Sequence, residues 1–106
     1  MMDHRQVLRS LFDVAVAAAD PVKAVASHLP KRPKGRTVVI AAGKASIPMA
    51  AAVEAHWQGP VAGFAVAPHG YASPLKVIET VYASHPVPDA ASVAAANTFK
   101  AVAEEW

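Results

Sequence analysis

Apolar and polar positions change period repeatedly along this chain, and each change marks an element. In residues 4–19, Val7, Leu8, Leu11, Phe12, Val14, Ala15 and Ala18 recur at helical spacings, leaving Arg5, Arg9 and Asp13 for the wet side. Asp20-Pro21 reads as a cap followed by proline at the first helical position, opening a shorter helix to about Leu29. At residues 37–42 the helical period stops. Val38, Val39 and Ile40 form the continuous apolar run expected of a strand buried on both faces. Helical spacing returns in residues 45–57, with Ile47, Met49, Ala50, Val53 and Trp57 on the core face. Pro48 falls in the first turn, where a missing N–H costs little, and Gly59-Pro60 stops the helix. Residues 61–67 and 76–83 read as two further strands. Residues 89–106 read as a last helix with Val93, Ala96, Phe99, Val102 and Ala103 inward.

Strand, helix and strand over residues 37–67 make a βαβ unit, which crosses over right-handedly. The loop at residues 68–74 is too short for a helical crossover. The third strand therefore either runs antiparallel or enters the sheet by a tight route. The expected fold is α/β: a three-layer, Rossmann-like sandwich around a mostly parallel sheet. Residues 37–42 are expected at its centre, flanked by the helices at 45–57 and 89–106.

Composition narrows the function classes. The chain has 106 residues, enough for one small core. Its net charge of +2 is too small to imply a nucleic-acid partner, and the basic stretch Pro30-Lys31-Arg32-Pro33-Lys34-Gly35-Arg36 reads as a solvated connector. With no cysteine, disulfides and thiolate zinc sites are excluded. No apolar run reaches the roughly 20 residues of a membrane span, so a cytoplasmic location with no membrane partner is expected. Glu104-Glu105-Trp106 ends the last helix with no glycine, proline or basic turn, and its acids oppose the macrodipole. The expectation is a fragment of a longer protein, inactive alone and prone to homo-oligomerise through uncovered apolar surface.

The chemistry-bearing residues gather in loops after the strands. Gly43-Lys44-Ala45-Ser46 joins the first strand to a helix, where open α/β sheets bind ligands and a helix start favours anions. It is not a phosphate-binding P-loop, since Val38 stands where the first glycine belongs, nor a G-x-G-x-x-G turn. Taken alone, it reads either as an anion site or as a tight turn with a solvated lysine. His69-Gly70-Tyr71 and His85-Pro86-Val87-Pro88-Asp89 follow the later strands, with Asp89 placed to cap the last helix. His69 and His85 are too few to make a metal site. His4, His28 and His56 read as surface or boundary residues.

The joint order of these loops is more specific than any one of them. Gly-Lys-Ala-Ser-x-x-Met-Ala, then a His/Gly/Tyr loop, then Ile-Glu-x-Val-x-x-x-His-Pro-Val-Pro-Asp closely resembles the N-terminal region of class II glycerate kinases, also labelled hydroxypyruvate reductases. The resemblance covers nearly the whole chain, making residues 1–106 part of that family's N-terminal α/β domain. It implies ATP-dependent phosphorylation of D-glycerate at the 2-hydroxyl, with ATP and Mg²⁺ as cofactors and the rest of the polypeptide as partner. Lys44 matches the family's active-site lysine. Gly43, Ala45 and Ser46 match the turn that presents it, and with His69, Gly70, His85 and Asp89 they are implied to bind substrate or phosphate, Ser46 as an additional donor. Relatives read Tyr-Gly-His where this chain has His69-Gly70-Tyr71. The general base and the Mg²⁺ carboxylates are implied to lie outside this chain. Two alternatives remain: a hydroxypyruvate reductase, and a non-catalytic anion-binding α/β domain.

Overall fold

The computed structural model describes residues 3–105. Its elements run α1 (His4–Ala18), α2 (Pro21–Ser27), β1 (Val38–Ala42), α3 (Ser46–His56), β2 (Ala62–Pro68), β3 (Glu79–Ala83) and α4 (Ala90–Glu105). The expected end of the last helix at Trp106 lies outside the described residues. All three strands are parallel, in the order β1-β2-β3, with Val38 opposite Ala62 and Phe64 opposite Glu79.

The layers follow from the pleat. Successive side chains of β2 point to opposite faces. Ala65 packs with Ala50 of α3 and Ile78 in the core, joined by Val39, Ala41 and Leu75. Val66 and Pro68 instead face Ala95, Ala96 and Phe99 of α4. Helices therefore cover both faces, and α2 lies outside α3. Contact between β1 and β2 is close enough that a Cβ at Gly63 would collide with the Val39 carbonyl, so glycine is required there.

One expectation about the strands is corrected, and one open alternative is resolved. β1 is not central; it is an edge strand, and β2 holds the centre. Ile40 is accordingly 45 % exposed, and Val38 and Val39 are only half-buried. The direction of β3, left open by the sequence, is parallel. The physical reason is length. Returning from Pro68 to Glu79, which lies opposite Phe64, means travelling back about four residues of strand, roughly 13 Å. Residues 69–78 can span roughly 33 Å when extended, so no crossover helix is needed.

That extended crossover is held by a carboxylate on α3. Glu54 accepts the Lys76 N–H at Oε1 (3.0 Å) and the Val77 and Ile78 N–H groups at Oε2 (2.7 and 2.6 Å). Partial desolvation pushes its carboxyl up, but the N–H groups of Ile78, Lys76 and Val77, with the Lys76 charge, outweigh this and hold it below the ordinary carboxylate range. Ser73 braces the same segment through its hydroxyl, at 2.6 Å from Thr80 Oγ1 and 3.3 Å from the Leu75 N–H.

α1 departs from expectation in another way. It forms as its pattern predicts, opened by a capping box in which the Gln6 N–H donates to Asp3 Oδ1 and the Asp3 N–H to Gln6 Oε1. Yet its apolar stripe is not covered: Leu8 is 67 % exposed, and Leu11, Phe12, Val14 and Val16 are open as well. Met49, expected in the core, is also exposed. α3 is the opposite case. It is apolar nearly all round and sits between the sheet and α2, burying Ile47, Ala50 and Ala52.

Candidate functional site

The loops after β1, β2 and β3 open at one end of a parallel sheet, its carboxyl edge. A cavity of about 270 Å³ sits there beneath α4, lined by Gly43, Val66, Pro68, His85, Ser92 and Phe99 among others, and its walls are mainly apolar.

The turn after β1 is built on a single carbonyl. Gly43 takes φ +108°, a conformation L side chains rarely adopt, and this turns the chain out of the strand. Its N–H donates to the Val66 carbonyl of β2 (3.3 Å). Ser46, at the start of α3, is 2 % exposed and donates its hydroxyl to the same carbonyl (2.9 Å). Its own N–H donates to the Gly43 carbonyl (3.1 Å). Ser46 therefore differs from the ligand donor expected of it. Its hydroxyl proton and its N–H are both spent on the fold, and it bolts the turn to the sheet. Lys44 and Ala45 form the exposed crest of that turn. Their N–H groups have no partner among the described residues.

The loops after β2 and β3 are joined to each other. Asp89 Oδ1 accepts the N–H groups of Ser84 (3.2 Å) and Ser92 (3.0 Å) and the Ser92 hydroxyl (3.1 Å). The Asp89 N–H in turn donates to Ser92 Oγ (3.1 Å), a reciprocal cap on α4. Asp89 Oδ2 lies 3.0 Å from His69 Nε2. An ionised carboxylate can only accept, so the shared proton is carried on Nε2. This histidine bond, then the Ser84 N–H, hold the Asp89 carboxyl well below its usual range, against slight desolvation and with further help from Ser92. Asp89 thus caps the helix, as the sequence suggests, and also ties it to the loop after β2.

Of the residues singled out from sequence, His69 and Asp89 are in direct contact, and Gly43 and His85 share the cavity wall. Lys44 and Ala45 are exposed beside Gly43. Gly70, at φ +87°, sits in an exposed turn closed by the Tyr71 N–H on the Pro68 carbonyl (3.3 Å). Ser84, Ser92 and Glu54 were missed. For Ser92 a signal was present, because Asp89-x-x-Ser92 has capping-box spacing. Glu54 gave none, since its partners are backbone groups more than twenty residues away.

Comparison with known proteins then places the chain. Residues 7–106 match the family described as a domain of unknown function, DUF4147. The chain belongs to that family. The match confirms the resemblance to class II glycerate kinases, as do its named relatives. An Agrobacterium vitis protein named "Putative hydroxypyruvate reductase" is 52 % identical over 94 % of this chain and 23 % of its own length. A Pyrococcus horikoshii protein named "Glycerate 2-kinase" is 36 % identical over 91 % of this chain and 24 % of its own. A crystal structure of a Pyrococcus horikoshii protein superposes with a TM-score of 0.73 at 35 % identity, covering 92 % of this chain and 25 % of that one. This DUF4147 chain thus spans about a quarter of the length of the relatives it matches. Among its described residues no helix is long and apolar enough to cross a membrane.

Proposed function

We propose that this DUF4147 chain supplies the lysine-bearing wall of a glycerate 2-kinase site, in a polypeptide that phosphorylates D-glycerate at its 2-hydroxyl with ATP. The observation that carries the reading is Lys44. It is an exposed ammonium on the crest of a turn whose backbone is pinned to β2 from both sides, at the sheet edge where α/β ligands bind. Phosphoryl transfer needs positioning and charge neutralisation more than covalent chemistry from the protein. A cation fixed at its base and mobile at its tip can pair with the glycerate carboxylate or with a phosphoryl oxygen as charge develops on it. The Lys44 and Ala45 N–H groups add donors beside it. ATP would supply the phosphoryl group, and the Lys44 turn suits one of its phosphate oxygens. Mg²⁺ is a different matter. No group of three His, Asp or Glu side chains among the described residues is placed to hold it.

The name of the Agrobacterium vitis relative favours a second reading, reduction of hydroxypyruvate. Against it, a dinucleotide pyrophosphate needs successive glycines at the strand-to-helix turn for close backbone approach, and this turn has Gly43 alone, followed by Lys44, Ala45 and Ser46. The two readings part in one assay on a longer polypeptide carrying this chain. ATP-dependent loss of D-glycerate, without oxidation of NADH or NADPH by hydroxypyruvate, is expected. The reverse pattern would replace the kinase reading.

A further inference from the structure

The basic connector at residues 30–36 does more than join two elements. α3 leaves the carboxyl edge of the sheet at Ser46 and runs eleven residues, roughly 16 Å, to His56. Lys31 and Arg32 fold against that far end. There Leu29, Lys31, Arg32, His56, Trp57 and Gln58 line most of another cavity, of about 380 Å³. Small-molecule sites occupy roughly 300–1,000 Å³. The walls are mainly polar, unlike those of the cavity beneath α4, and no lining residue is a carboxylate.

Two observations mark this cavity as a site. Trp57 Nε1 is buried, and its N–H has no acceptor among the described residues. Buried donors are ordinarily satisfied by protein, ordered water or a ligand, because leaving one unpaired is costly. Arg32 is also held in place. Its guanidinium fills the space that a side chain at Gly59 would take, and Gly59 adopts φ +123°, where L side chains are rare. Neither Arg32 nor Lys31 has a carboxylate partner among the described residues. The carboxyl ends of α2 and α3 lie here too, and their partial negative charge favours nearby cations. That field accounts for the cations but not for the unpaired indole. It is also the smaller quantity, about half a charge per helix end against two full positive charges.

We propose that this cavity binds a small organic phosphate. The Arg32 fork takes two phosphate oxygens, Lys31 pairs with the third as a point charge, and the Trp57 N–H donates to an oxygen of the organic part. A phosphate ester offers three terminal oxygens to these donors, where a carboxylate offers two. The volume left beyond a bare phosphate is what calls for an organic part. The site stands at the opposite end of α3 from the Lys44 turn. It goes beyond the kinase reading and does not need it.

The test follows the side-chain indole resonances of the ¹⁵N-labelled chain. There are two, from Trp57 and Trp106, and Trp57→Phe tells them apart. The probes are glucose 6-phosphate and adenosine 5′-monophosphate, with inorganic phosphate and citrate as controls. At least one organic phosphate should move the Trp57 indole N–H saturably, with a midpoint at least about tenfold below that of either control. Replacing both cations, Lys31→Met with Arg32→Met, should weaken that response by at least about tenfold. The melting temperature should hardly move, since both side chains are exposed. Arg32→Lys should retain more of the response than Arg32→Met, and less than the parent. Lys44→Met should leave it unchanged. An indole unmoved by both organic phosphates would assign its donor to bound water and overturn the proposal. Tighter binding of citrate, or a full response in the double variant, would overturn it as well. Loss of the response in Lys44→Met would place the ligand at the Lys44 turn instead. No readout depends on turnover, so loss of the kinase reading and loss of this one are distinguishable.

Discussion

The turns leaving β1 and β3 open at the same end of the sheet and are built on opposite plans. After β3, four donors converge on Asp89, and the resulting network ties Ser84, Ser92 and His69 into one brace. Its charge is spent internally. After β1, two donors share the Val66 carbonyl, and beyond that bolt the Lys44 ammonium and the Lys44 and Ala45 N–H groups have no partner among the described residues. The first plan fixes a loop; the second fixes only the base of a loop and leaves its charge for something else. A residue's presence in a chemistry-rich motif therefore does not make it a ligand. Ser46 and Asp89 both sit in such motifs and both serve the fold.

The largest effect should come from the uncommitted side. In a glycerate-phosphorylating polypeptide that carries this chain, Lys44→Met should lower turnover by at least about a hundred-fold, the cost of losing a donor that meets developing charge. The melting temperature should hardly move, because an exposed side chain away from the core contributes within about 0.5 kcal/mol. Turnover within a few-fold of the parent would return Lys44 to the role of a solvated turn residue.

Next comes the crossover. Glu54→Ala leaves the Lys76, Val77 and Ile78 N–H groups without their acceptor, and hydrogen bonds to a charged group are each worth about 1.5–3 kcal/mol. Because Glu54 lies only part-buried, a total near 2 kcal/mol is expected, read as a lower urea midpoint at unchanged slope. An unchanged midpoint would mean that the extended path is held by Leu75 and Ile78 packing alone.

Acid should weaken the braced parts before the turn at Gly43. Glu54 and Asp89 both have folded values below their ordinary 4.5 and 3.8, so the unfolded chain takes up protons on them first. Their contribution is complete above about pH 4.5 and is lost as pH falls through the lower folded values. The urea midpoint of the parent should accordingly drop below pH 4.5, and that of a Glu54→Ala, Asp89→Asn double variant should drop less steeply. Parallel slopes would contradict the assignment.

How much of this was legible in the residues depends on how far each interaction reaches. Local signals read well: the Asp20 cap, Pro48 in a first turn, Asp89 before α4, and the period switch at Gly43. The centre of the sheet did not. Val38-Val39-Ile40 has the composition of a strand covered on both sides, yet it lies at the edge of the sheet, and nothing local says so. The stripe of α1 teaches the same lesson, since periodicity announces a face to be covered without naming what covers it. The direction of β3 was hidden because Glu54 replaces a crossover helix with a bond between segments distant in sequence.

The smallest effect concerns the histidine arm of the brace. His69→Gln should leave the melting temperature nearly unchanged, because the pair is solvent-exposed, with side chains 55 % and 38 % accessible. It should nevertheless raise the Asp89 carboxyl toward its ordinary range, since His69 is the largest cause of its depression. A ¹³C carboxyl titration reads this directly, and an unmoved Asp89 would mean that Ser84 and Ser92 suffice.

The contrast between the two turns is tested most directly by titrating the ¹⁵N-labelled chain with D-glycerate, and separately with inorganic phosphate, while following its backbone amides. The account predicts saturable shifts concentrated at Lys44 and Ala45, with Gly43 and Ser46 following, and little change from Ser84 to Ser92. It predicts that Lys44→Met abolishes them. Shifts centred on His69, Ser84 and Asp89, with Lys44 and Ala45 unmoved, would contradict it.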